Sequence, residues 1–286
     1  MKFTVTRVSD SYKDNARITW DPDNTFLGTA RYYARYRPGY PDEVIQLLKT
    51  KFRLNGKSRA LDLGCGTGQV ALALAPHVAK VVAVDPMEAM LTAGKELAAT
   101  GQITNIEWLR GQSGELQHLA SEIGEIDITV MARSFHWMDR TQTLKDLYRI
   151  TRPGGGLAVI ADNGPSDLPG PPWKELIRET VKQWIGEERK AGTTGKYTHP
   201  GKYHQEILSD SDFRNLELAG IQTERAWSID AIIGYLYSTS YTSIPVLGDK
   251  KEPFEADLRE KLSALEPSGQ FHEQTNVNVI MVWKPE

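Results

Sequence analysis

The chain contains one cysteine, Cys65, in 286 residues, so no disulfide can form within it and no zinc cluster of several thiolates can be built. A reducing cytoplasm permits such usage, and a cytoplasmic location is expected. No run approaches the roughly 20 apolar residues that a membrane-crossing helix needs. The opening stretch MKFTVTRVSDSYKDN alternates polar and apolar residues instead of forming the apolar heart of a signal peptide. Positive charge is not in surplus: 34 Lys and Arg stand against 37 Asp and Glu, a net charge of −3 with a pI near 6.1. Neither nucleic acid nor a membrane surface is therefore an expected partner. The histidines lack the short spacing of a ligand set, so no metal is expected. Internal repeats and low-complexity tails are absent as well.

What is present is ordinary globular composition, 40% hydrophobic and 25% charged, enough to build a sizeable core. The length suits one domain, residues 1–286, carrying a substantial insertion. From residue 59 to 162 one pattern repeats, a short apolar strand followed by a turn and an amphipathic helix. Expected strands are RALDLG (59–64), KVVAVD (80–85), IEWLRG (106–111), IDITVMA (126–132) and GLAVIAD (156–162). Helical stretches such as VALALAPHV, MEAMLTAGKELAAT and TQTLKDLYRIT lie between them. Such alternation implies crossover connections, a mostly parallel sheet and helices on both faces. The proline-rich NGPSDLPGPPW (163–173) breaks the pattern. Residues 163–240 are expected to form an insertion or cap shaping a substrate pocket, helical from 173 to about 208, with a return to the sheet near FRNLELA or IQTERAW. Helices near 228–239 and 253–266 and a final strand, TNVNVIMVW (275–283), complete the chain.

LDLGCGTGQ, residues 61–69, places glycines at 64, 66 and 68 where the first strand turns into a helix. Glycine there lets a ligand approach bare backbone, and the helix start beyond it presents free N–H groups. Asp85 ends the next strand 21 residues after Gly64, roughly the spacing at which a carboxylate reaches ribose hydroxyls. Two cofactor classes share this plan. Dinucleotide enzymes place their third glycine where this chain has Gln69, which counts against an NAD enzyme; a tight turn without any ligand is the plain structural alternative.

LDLGCGTG followed by VVAVDPMEAML resembles the first two motifs of class I S-adenosylmethionine-dependent methyltransferases. YARYRPGYP (33–41), ITVMARSFHWMD (128–139), ITRPGGGLAVI (150–160) and IGYLYSTSYTS are similar, in order, to segments of the methyltransferase type 11, trans-aconitate-methyltransferase-like subgroup that acts on small molecules. GQSGELQ (111–117) departs from the subgroup's G-x-A-E-x-L-P, with Gly114 at the Glu position and Gln117 at the Pro position. The resemblance implies a Rossmann-like, doubly wound α/β fold. Its sheet would be seven-stranded and mostly parallel, the last strand antiparallel, with helices on both faces, an inserted cap and an N-terminal helical segment over 26–58. It further implies transfer of a methyl group from S-adenosylmethionine to an O, N or C atom of a small-molecule acceptor, leaving S-adenosylhomocysteine, by a monomer or homodimer. RNA or protein methylation and a non-catalytic cofactor-binding relative are the alternatives.

The same resemblance implies the site. The backbone of Gly64, Cys65, Gly66, Thr67, Gly68 and Gln69 would run beside the cofactor, and Asp85 would accept the ribose hydroxyls. Pro86 and Met87 would pack on the adenine, with Gln112 and Ser113 beside it, and Met131, Ala132 and Arg133 would follow the fourth strand along the cofactor. Tyr33 and Arg37 come from the N-terminal segment. Arg37 either pairs with the cofactor carboxylate or stacks on Tyr32, Tyr33 and Tyr36, with Arg31 a weaker version of the same idea. Asp62 either holds the cofactor ammonium or braces the loop, and the plainer alternative for Met87 is a core residue at a helix start. His136 is the candidate general base, its alternative a structural role. Tyr32, Phe135, Trp137 and Trp173 are candidate acceptor contacts, as are Tyr197, His199, Tyr203 and His204 of the insertion.

Overall fold

The computed structural model describes residues 22–162, 170–187, 190–191, 195–196 and 202–286. Three helices lead in, α1 (Pro22–Thr25), α2 (Ala30–Tyr36) and α3 (Asp42–Lys51). The alternating part follows as β1 (Arg59–Leu63), α4 (Gln69–Leu74), β2 (Lys80–Asp85), α5 (Glu88–Thr100), β3 (Ile106–Arg110), α6 (Leu116–Ile123), β4 (Ile126–Ala132), α7 (Arg140–Ile150) and β5 (Thr151–Asp162). Beyond it come α8 (Pro172–Ile185), a two-residue pair β6 (Lys190–Ala191) and β7 (Gly195–Lys196), and α9 (His204–Ser209). β8 (Arg214–Ser228), α10 (Ile229–Tyr237), α11 (Ile244–Leu247), α12 (Lys251–Leu265) and β9 (Gln270–Trp283) finish the chain.

Seven strands form one sheet in the order β3-β2-β1-β4-β5-β9-β8. β1 to β5 pair in parallel, and β9 runs antiparallel to both β5 and β8. The resemblance therefore gave the right architecture, six strands in one direction and the C-terminal strand reversed. Near-continuous apolar runs make this arrangement because strands under helices are buried on both faces. Alternate residues of β1 and β2 divide between two cores. Ala60, Val81 and Ala83 pack with α3, α4 and α5, whereas Leu61, Leu63, Val82 and Val84 pack with α6 and α7. Each buried Val or Leu contributes about 1.5–3 kcal/mol relative to exposure. A third core joins α8, α10 and α12 to Trp227 of β8 and Phe271 of β9.

Three boundaries differ from the expectation, one of them that of β9, which starts at Gln270 and not at residue 275. β5 starts at Thr151, not at residue 156, because Thr151 pairs with Ile126 before an irregularity in the ladder that accommodates Pro153. The stretch 173–208 is helical over α8 and α9 only; between them lie the short β6–β7 pair and residues outside those described. The edge strand β8 lies within 163–240 and joins the main sheet.

Candidate active site

The parallel strands end in an open cleft whose empty space, counting solvent at its mouth, is about 650 Å³. Its floor is the glycine turn. Asp62, on β1, is buried, and its Oδ2 accepts the Ala71 N–H at 3.0 Å, capping the start of α4 from a neighbouring strand. Burial raises its pKa to about 7. Asp85, at the end of β2, uses one oxygen for the Gly66 N–H at 2.8 Å and the other for the Met87 N–H at 3.0 Å. Burial raises this carboxyl too, to about 6, against the pull of those two hydrogen bonds. Each oxygen keeps lone pairs for a further donor, and Asp85 lines the cleft.

Two of the turn's glycines are fixed by packing. Gly64 has φ +72°, and a Cβ there would lie 2.5 Å from Cβ of Ser134, whose hydroxyl donates to the Leu63 carbonyl at 2.7 Å. Gly68 has φ +81°, and its Cβ would lie 2.5 Å from the Trp108 ring, which also fills the notch at Gly94. Gly66 faces the cleft below Tyr33.

Of the positions named from sequence, Tyr33, Gly64, Gly66, Asp85, Pro86, Met87, Gln112, Ser113, Ala132, Arg133 and Trp137 line the cleft. Cys65, Thr67 and Met131 are buried beside it, and burial pushes the Cys65 thiol well above its usual range. Gln69 donates to Thr67 Oγ1 at 2.8 Å. Arg133 has φ +58°, a left-handed conformation uncommon for a side-chain-bearing residue, directly after β4.

Other positions stand elsewhere. Arg37 is stacked between Tyr33 and Tyr235 and hydrogen-bonded to Ser238. Arg31 donates to the Tyr32 hydroxyl at 2.9 Å, and the Tyr32 ring packs on Tyr237 at 5.3 Å. Trp173 is buried in the third core, its indole N–H donating to the His272 carbonyl at 3.2 Å. Phe135 is buried against His204, with ring centroids 5.1 Å apart. His136 is half-buried between Trp137 and His204, at centroid distances of 4.9 and 6.5 Å, and is not part of the cleft lining. Tyr203 is the residue preceding α9, and Arg140 Nη1 lies 3.3 Å from His204 Nδ1. Tyr197 and His199 lie outside the described residues.

The departing segment GQSGELQ has its own local logic. Gln112 N–H donates to Glu115 Oε2 at 2.9 Å, so the carboxylate one place after Gly114 closes the turn. Gln117 instead reaches Asp146 on α7 at 2.9 Å. Sequence reading missed Phe26, Met90, Gly111, Ser134 and Met138, all in the cleft lining. Met90 lies in the first turn of α5, three places after the N-cap residue Met87, and Ser134 and Met138 flank the FHW triplet; those spacings were the available signal. Among the described residues no helix is long and apolar enough to cross a membrane, and no cluster of three or more His, Cys, Asp or Glu could hold a metal.

Residues 60–155 match the family of methyltransferase domains. An uncharacterized methyltransferase of Schizosaccharomyces pombe is 24% identical over 260 residues, 90% of this chain and 94% of its own length. A probable S-adenosylmethionine-dependent methyltransferase of Saccharomyces cerevisiae is 27% identical over 128 residues, 44% of this chain and 43% of that protein. The solved structure of an Anaeromyxobacter dehalogenans protein superposes with a TM-score of 0.57 at 19% identity, covering 88% of this chain and all of that one, which shows the shared fold. Residues 60–155 thus carry a methyltransferase domain, and S-adenosylmethionine is the cofactor that this domain and its relatives imply.

Proposed function

We propose that the chain methylates a small-molecule acceptor in the cleft above the glycine turn. The observation that carries the reading is the Asp85 carboxylate, buried at the cleft floor, pinned by the Gly66 and Met87 N–H groups and still open to a further donor. Its two oxygens suit the paired hydroxyls of a ribose. Met87, Met90, Gln112 and Ser113 surround the adenine end, where thioethers pack well on an aromatic face. The backbone at Gly64, Gly66 and Ala132 borders the amino-acid end, and Arg133 stands beside it. When bound, S-adenosylmethionine supplies an electrophilic methyl on a sulfonium.

Phe26, Trp137 and Met138 form the apolar wall left for the acceptor. These residues exclude water and hold the attacking atom in line. Asp62 serves the loop through its bond to Ala71, and Cys65 supplies backbone, not a nucleophile. His136 holds Trp137 by ring contact, and among the described residues no histidine belongs to the cleft lining. The acidic balance favours a small acceptor over RNA.

Incubating the protein with labelled cofactor and a metabolite extract, then searching by mass spectrometry for a gain of one methyl, tests the reading. A labelled small metabolite is the expected result. Label only in RNA or protein fractions, or cofactor binding without any product across a broad panel, would overturn it.

A further inference from the structure

The cleft has a roof whose fastening lies outside it. Tyr33, on α2, covers the glycine turn so closely that a Cβ on Gly66 would stand 3.4 Å from its ring. The Arg37 guanidinium lies on the same tyrosine, 4.8 Å from the ring centroid, and 4.7 Å from the centroid of Tyr235 on α10. Its Nε donates to the Ser238 hydroxyl at 2.9 Å and its Nη2 to the Ser238 carbonyl at 3.2 Å. Ser238 is fully buried, and its own hydroxyl donates to the Tyr235 carbonyl at 2.5 Å. A continuous column therefore runs from Gly66 through Tyr33 and Arg37 to Tyr235. Gly234 leaves the space beside it for the Tyr36 ring.

We infer that Arg37 is a positioning residue for the cofactor: it acts through Tyr33, and Tyr235 and Ser238, outside the cleft, set the cofactor's affinity with it. The guanidinium is suited to this because its plane stacks on two rings while its fork reaches one serine twice. Lysine can carry the charge but neither the stack nor the fork. A direct charge contact with the cofactor carboxylate would make the opposite demand, tolerating lysine and ignoring Ser238.

The inference rests on the cleft being the cofactor site. It is tested by calorimetric titration with S-adenosylhomocysteine of the wild type, Arg37→Lys, Arg37→Gln, Ser238→Ala and the Arg37→Gln/Ser238→Ala pair, with folding checked by far-UV circular dichroism. The expected result is a loss of roughly tenfold in affinity for each single variant, the scale of one hydrogen bond to a charged group. Lysine should do no better than glutamine, and Ser238→Ala should add nothing to Arg37→Gln. Tyr235→Leu, which leaves Arg37 and Ser238 in place, should also weaken binding. Wild-type affinity in Ser238→Ala and Tyr235→Leu, or recovery of affinity by lysine alone, would overturn the inference while leaving the cofactor site standing. A wild-type protein that does not bind S-adenosylhomocysteine would overturn both.

Discussion

The floor and the roof of the cleft are built on opposite principles. The floor is contiguous and backbone-made: β1, the glycine turn and the end of β2 lie within 27 positions, and Asp85 ties them together through two N–H groups. The roof is assembled from side chains far apart in sequence, Arg37 on Ser238 across 201 positions and Phe26 on Trp137 at 5.8 Å. A floor of that kind tolerates little change at any of its atoms, whereas a roof riveted by side chains can loosen by degrees. Variants should therefore act in different ways on the two sides.

The largest effect is expected from Asp85→Ala. It removes both acceptors for the ribose and leaves the Gly66 N–H unserved, so S-adenosylhomocysteine affinity should fall at least about a hundredfold, from hydrogen bonds to a charged group worth about 1.5–3 kcal/mol each. Calorimetry on the folded variant checks this; unchanged affinity would remove Asp85 from the site. Next comes Gly94→Ala, which touches no ligand. Its Cβ would lie 2.5 Å from the Trp108 ring that also backs Gly68, and overpacking of this kind costs about 1–3 kcal/mol. Trp108→Leu should recover part of that stability in the double variant, as measured by chemical denaturation. Roof variants at Arg37 and Ser238 should follow, with the graded, roughly tenfold losses given above.

The floor also titrates. Asp85, held near 6, must be ionised to accept hydroxyls, so S-adenosylhomocysteine affinity should rise as pH is raised through about 6. Without ligand the sign reverses. Asp62 and Asp85 keep protons in the folded state that an unfolded chain releases at ordinary carboxyl values. Stability is then greatest below the unfolded value and is lost as pH rises through the folded values of about 6 and 7. Lowering the pH from 8 to 5 should thus raise the ligand-free melting temperature, by about 2–4 °C for each kcal/mol of linkage. Asp62→Asn, which keeps an acceptor for Ala71, should flatten that slope in differential scanning calorimetry. The smallest effect is expected for His136→Ala, a fall in turnover of less than about tenfold. A base catalyst contributes 10²–10⁴-fold, so a loss in that range would return His136 to proton removal.

The same contrast explains what the sequence could disclose. Strand-turn-helix alternation and Gly64-x-Gly66-x-Gly68 with Asp85 are local patterns, governed by periodicity and backbone geometry, and the architecture and floor were legible from them. The role of Arg37 was not: stacking on tyrosines was one of two readings, but its outer ring comes from α10 and its serine from the residue that ends that helix, and no local pattern announces partners so distant. Trp173 was expected near the acceptor as a residue of the insertion, yet it is buried at 8% exposure in the core shared with α12 and with Trp227 and Phe271 of strands β8 and β9. The glycine at 68 was read as room for a ligand, and the structure shows it also as room for Trp108. Only the packed neighbour distinguishes the two.

The place of β9 in the sheet carries a consequence for assembly. Residues 59–162 can pair as five parallel strands while the chain is still being made, but β8 has one neighbour in the sheet, β9, which is synthesised after it. α10 follows β8 directly, and the third core that holds it includes Phe271 of β9. The floor of the cleft can thus exist early, while the helix that fastens the roof waits for the last strand to insert between β5 and β8. The fastening of the roof through α10 therefore depends on the pairing of β8 with β9, far in sequence from the glycine turn.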